Sequence, residues 1–63
     1  MKVLVVNKET EQEVRYDNVC TYNPYGATSD GENGEARPVI QFILEDGTAT
    51  FHLDEWDWFI LKR

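Results

Sequence analysis

The chain has 63 residues and a formal net charge of −6. That length holds one domain and only a thin core, because a chain of this size buries roughly 60% of its unfolded surface. A single cysteine, Cys20, and a single histidine, His52, exclude an internal disulfide and a His/Cys metal cluster as staples. The acid excess opposes nucleic-acid or anionic-membrane binding through a broad basic face. No apolar run approaches the ~20 residues that span a bilayer. The segment from Met1 to Asn7 carries one charge and too short an apolar stretch for a signal peptide. A cytoplasmic, reducing location is expected, with no cofactor.

Residues 2–7 read as a strand with apolar side chains on both faces, Val3 and Val5 on one and Leu4 and Val6 on the other. Lys8 to Glu11 is turn-length. Residues 12–16 alternate again, and setting Asn7 opposite Gln12 aligns Val5 with Val14 and Val3 with Tyr16. Asp17-Asn18 breaks the alternation, so a bulge or bend is expected before the strand resumes over Val19 to Tyr22.

Asn23-Pro24-Tyr25-Gly26 is a turn signal. With the polar stretch that follows, it predicts one long exposed loop over 24–38. Val39 to Glu45 and Thr48 to Leu53 flank Asp46-Gly47, which predicts a type I′ hairpin. That turn would pair Leu44 with Ala49, Phe42 with Phe51 and Ile40 with Leu53. Asp54-Glu55-Trp56-Asp57 reads as a helical turn capped by Asp54, before a last strand over Trp58 to Leu61. The fold class expected is therefore all-β: a single domain over 1–63, a five-stranded antiparallel meander curled into a small barrel.

Five short strands, a tight hairpin and a one-turn helix before the last strand resemble the SH3-like small-barrel order over most of the chain. The Ala-Leu-Tyr-Asp-Tyr motif of the peptide-binding members is absent, and the long loop follows the second strand here rather than the first. Tyr16-Asp17-Asn18-Val19 and Phe51-His52-Leu53-Asp54 also give the chain a likeness to small proteins of Gram-positive phages and mobile elements. That likeness implies a mixed set of roles, some structural and some inhibitory toward host defences.

Catalysis is not expected. A Cys20–His52 pair has no third orienting group, and Cys20 suits a small buried or half-buried position. Asp54, Glu55 and Asp57 cluster, but so short a chain has little room for the enclosed cleft that general acid–base work needs. The segment from Asp30 to Glu35 has alternating oxygen ligands, yet its glycine falls one place early for an EF-hand and no helices flank it. No metal site is assigned.

Trp56-Asp57-Trp58 is the segment with most to offer. Either both indoles are core, or one stays exposed beside Asp54, Glu55 and Asp57 and anchors a basic protein partner, extended by Tyr22 and Tyr25. The leading expectation is a non-enzymatic protein-interaction module, in its sharper form an acidic inhibitor of a basic host protein. The alternatives are a structural subunit, a homo-oligomer built by strand edges, and a single-strand nucleic-acid binder, which the charge balance opposes.

Overall fold

A computed structural model describes residues 1–63 and shows an all-β chain of six strands. They are β1 (Lys2–Asn7), β2 (Glu13–Tyr16), β3 (Val19–Thr28), β4 (Arg37–Leu44), β5 (Gly47–His52) and β6 (Trp56–Lys62). A single 3₁₀ turn, Glu32–Gly34, lies between β3 and β4. The strands form two three-stranded antiparallel sheets, ordered β2-β1-β6 and β3-β4-β5. They do not close into the expected five-stranded barrel. The bend at Asp17-Asn18 splits what the sequence suggested was one kinked strand, and the chain there passes from one sheet to the other.

The first hairpin has the expected register, with Val3 opposite Tyr16 and Val5 opposite Val14. Asn7 organises its turn. Its Oδ1 accepts from the amides of Glu9 and Thr10 at 2.9 Å, and its own amide donates to Gln12 O at 2.8 Å.

The second hairpin departs from expectation. Leu44 faces Gly47, Phe42 faces Ala49 and Ile40 faces Phe51, so Glu45 and Asp46 form the tip. Neither has positive φ, which rules out a type I′ turn. Moving each partner by two residues keeps every side chain on its face, so the apolar pattern accommodates both registers. Packing favours the one observed: it sets the Phe51 ring 5.0 Å from Trp56 and 6.2 Å from both Tyr16 and Phe42.

The expected loop over 24–38 is shorter. β3 runs on to Thr28 and β4 starts at Arg37. Pro24 is tolerated because β3 is a sheet edge, where a missing N–H breaks no ladder, and the register shifts between Asn23 and Gly26. Gly26 lies close against Val39, where a Cβ would stand 3.0 Å from Val39 Cγ2. The expected helical turn is absent: Leu53 to Glu55 is a plain turn and Trp56 already belongs to β6.

The core is small. Val3 and Val5 of one sheet meet Val19, Ile40 and Phe42 of the other, all buried. Around them six of the eight aromatic residues form one network, from Tyr16 through Phe51 and Phe42 to Trp58 and Tyr22, with Trp56 on Phe51. Only Tyr25 and Phe59 stand outside it. The α-amino group of Met1 donates to Val19 O at 2.7 Å and Val19 N donates to Met1 O at 3.1 Å, pinning the chain start to β3.

Cys20 is exposed, neither buried nor half-buried as its residue type suggested. It is the extra residue where the β3–β4 register shifts between Val19 and Thr21, and that irregularity turns it outward. Native protein should therefore react fully with a thiol reagent such as DTNB without denaturant. Labelling that waits for urea would place Cys20 inside.

Candidate functional site

The residues expected to form one aromatic-acidic patch are dispersed by the fold. Trp56 and Trp58 point between the sheets, half-buried, and Tyr22 packs on Trp58 with ring centres 5.3 Å apart. All three belong to the core network. Asp57 lies on the outer face of the β2-β1-β6 sheet, where Lys8 approaches it at 3.8 Å. Tyr25 faces away from both indoles, 91% exposed. The irregularity at Asn23–Gly26 aims it outward, and Asn23 Oδ1 holds the segment by accepting from Tyr25 N at 3.0 Å.

Asp54 and Glu55 have a different role from capping. β3 and β4 form an arm whose end is closed by the 29–36 connection, and Arg37, paired with Thr28 at that end, donates two bonds to Asp54, Nε to Oδ2 at 3.2 Å and Nη2 to Oδ1 at 2.9 Å. Its Nη2 also donates to Glu55 Oε1 at 2.7 Å, and Nη1 lies 3.9 Å from Asp30 Oδ2. The fork geometry of guanidinium suits this two-point grip, which an ammonium lacks. Asp30 in turn accepts from the Thr28 hydroxyl and from His52 Nε2 at 3.1 Å. An ionised carboxylate only accepts, so the proton of that contact sits on Nε2.

Gly31 makes this closure feasible. Its amide donates to Glu35 O at 3.0 Å, and a Cβ there would stand 2.5 Å from that same oxygen. The cluster ties the 29–36 connection and the β5–β6 turn to the arm. Sequence reasoning missed Arg37, because its partners lie on a turn far along the chain. The one available signal was a lone base in a long acidic stretch.

The hydrogen bond from Arg37 holds the Asp54 carboxyl below its ordinary value of 3.8, and the two carboxylates hold Arg37 more firmly protonated. Asp30 is lowered by the Thr28 hydroxyl first, with the facing His52 ring and the Arg37 guanidinium adding to it. Carboxyls lowered on folding contribute stability that is full above their unfolded value near 3.8 and is lost as pH falls through the still lower folded values. The arm should therefore hold from neutral pH down to about 4 and loosen below it. In Arg37→Met, the amides of Gly31, Leu53 and Glu55 should exchange faster at pH 7 while those of Val5 and Phe42 keep their protection. Equal acceleration at all five would show that Arg37 supports the whole fold rather than the arm.

Cys20 sits beside Ile43 and Leu44 of β4, whereas His52 pairs with Val39. Four strand positions separate them, roughly 13 Å at about 3.3 Å per residue, so the two do not meet. The largest concavity is an open cleft with Arg15, Asp17, Glu45 and Asp46 at its walls. In the Asp30–Glu35 segment the Asp30 carboxylate is engaged by Thr28, His52 and Arg37. No helix is long and apolar enough to cross a membrane.

The charge has a clear partition. Residues 18–55, which make up the β3-β4-β5 sheet and its connections, hold seven carboxylates against the single base Arg37. Residues 1–17 and 56–63, which build the β2-β1-β6 sheet, hold five acids and five bases and cancel. The entire net charge of −6 therefore sits on one half of the molecule. No family model, curated protein or solved structure matches this chain.

Proposed function

We propose that the chain is a non-enzymatic protein-interaction module, acting in the cytoplasm, that engages a basic protein partner with its β3-β4-β5 half. The observation that carries this reading is the confinement of the whole net charge to that half. A one-sided field steers a basic partner to one face and raises its on-rate. Tyr25 is the anchor: an aromatic side chain held out on the acidic arm supplies contact area at low entropy cost. Glu32 and Glu35, on the connection that follows β3, are exposed and add to the charge of that half. Trp56, Trp58 and Tyr22 serve by holding the sheets that present it. The sharper form is an inhibitor from a phage or mobile element that offers acidic charge to a basic host protein, and the same partition supports it. A nucleic-acid role finds less support, because the five bases of the other half are matched by five acids.

The test is capture of host proteins on the immobilised domain with nuclease present, followed by titration of the purified partner. Binding should weaken with salt, fall further with Glu32→Lys/Glu35→Lys, and lose about tenfold in affinity in Tyr25→Ala, an ordinary hot-spot loss. A partner indifferent to salt and to all three substitutions would overturn the assignment.

A further inference from the structure

Phe59, the other aromatic residue outside the core network, lies on the neutral half. It is 51% exposed on β6, beside Leu61 at 47%. Half-exposed Leu4 and Val6 of β1 continue this apolar strip on the same outer face, with Leu4 directly opposite Phe59. β6 has one hydrogen-bonded neighbour, β1, so its other side is a free edge.

The polarity of that edge follows from one bond. Lys8 N donates to Glu55 O at 2.9 Å, which brackets Asn7 and Trp56 as a pair that exchanges no bonds of its own. Alternation then makes Val5/Trp58 and Val3/Ile60 pairs of the same kind. The N–H and C=O groups of Trp58 and Ile60 therefore point away from β1, outward along the free edge.

The other three edges carry the usual protections. β2 has only four residues, and β3 holds Pro24 and two register shifts. β5 lies on the half that carries −6, where a second copy is repelled. β6 has seven residues and no proline, and its pairing with β1 is regular from Asn7 to Val3.

We infer that β6 is a self-association edge, at which a second copy of this chain adds its own β6 in antiparallel register across a two-fold axis. The charges on the strand select this occupant and this direction. Asp57 stands near one end, and Lys62 with Arg63 at the other. Antiparallel pairing centred on Ile60 sets Asp57 opposite Arg63 of the second copy, whereas parallel pairing would put like charges together. The same register places Phe59 against Leu61 of the other copy in a bond-free pair, where side chains approach most closely. Trp58 and Ile60 supply the bonds. The two sheets become one six-stranded sheet with a continuous apolar strip. This inference is independent of the partner-binding assignment, and Tyr25→Ala leaves it untouched.

Sedimentation over a wide concentration range, with concentration-dependent amide exchange on the same samples, tests it. Mass should double with concentration, and the Trp58 and Ile60 amides should slow as it does, while those of Asp57 and Phe59, already bonded to β1, should not change. Phe59→Thr/Leu61→Thr should weaken the dimer at least tenfold, with circular dichroism reporting that the variant still folds. Asp57→Arg and Arg63→Asp should each weaken it, and their combination should restore it. A chain that stays monomeric at millimolar concentration overturns the inference. So does a dimer in which the Trp58 and Ile60 amides exchange at the monomer rate, since stacking of sheet faces leaves the edge free.

Discussion

Phe42→Ala should produce the largest stability loss of any single substitution in this chain. Phe42 is fully buried, and its ring lies 6.2 Å from Phe51 and 6.3 Å from Trp58, linking an aromatic side chain of each sheet. Removing a buried phenylalanine ring costs about 3–5 kcal/mol. At roughly 0.05–0.15 kcal/mol per residue, a domain of this length has a total stability of about 3–9 kcal/mol. One substitution therefore removes from about a third to all of it. Urea titration followed by tryptophan emission and far-ultraviolet circular dichroism measures the loss. A change below about 1 kcal/mol would mean that the two sheets are held together elsewhere.

Trp58→Ala should produce the next largest loss. The indole reaches across to Tyr22 and Phe42 and is half-buried, so the cost is roughly 2–4 kcal/mol, somewhat under the figure for full burial. Trp58→Phe should recover part of it, because a smaller ring retains some of those contacts. The informative comparison is with Tyr25→Ala, which should change stability by no more than about 0.5 kcal/mol, as for an exposed residue without packing partners. If partner affinity falls with Tyr25→Ala at constant stability, and falls with Trp58→Ala only as far as folded protein is lost, the indole is scaffold and the phenol is contact. The reverse pattern would return the binding role to the tryptophan segment.

The parts of the fold legible in the sequence are those fixed by neighbours. The Asn7 turn and the parity of Val3, Val5, Val14 and Tyr16 sufficed for the first hairpin, since one register alone aligns the apolar residues. The second hairpin was legible as a pair of strands but not in register. A two-residue move of β5 leaves Ala49 and Phe51 on the inner face, and the choice is made by rings on β2 and β6. Asn-Pro-Tyr-Gly carried the signature of a turn, and it becomes part of a strand because that strand is an edge. The candidate site was hardest to read. Alternation puts Trp56 and Trp58 on one face of β6, but whether that face looks inward depends on a sheet order that composition does not encode. The outward set of Asp57, Phe59 and Leu61 was the same inference with the opposite sign. Cys20 illustrates the limit of residue type: a small apolar thiol suits the interior, and a single irregularity in pairing sends it to solvent.

β1 lies in the middle of its sheet, with β2 on one side and β6 on the other. Its first partner follows within a few residues, whereas its second is the last strand of these residues. Val3 and Ile60, from opposite ends of the sequence, must meet before the sheet is complete. Closing so long a loop costs entropy before any contact rewards it, which slows folding in sheet proteins with distant pairings. Until that meeting, Val3 and Val5 lack half of their cover and β1 presents a bare, apolar ladder. A nascent or refolding chain should therefore pass through a state that is open along β1, and slow refolding that speeds up when β1 and β6 are brought together by circular permutation would be its kinetic signature.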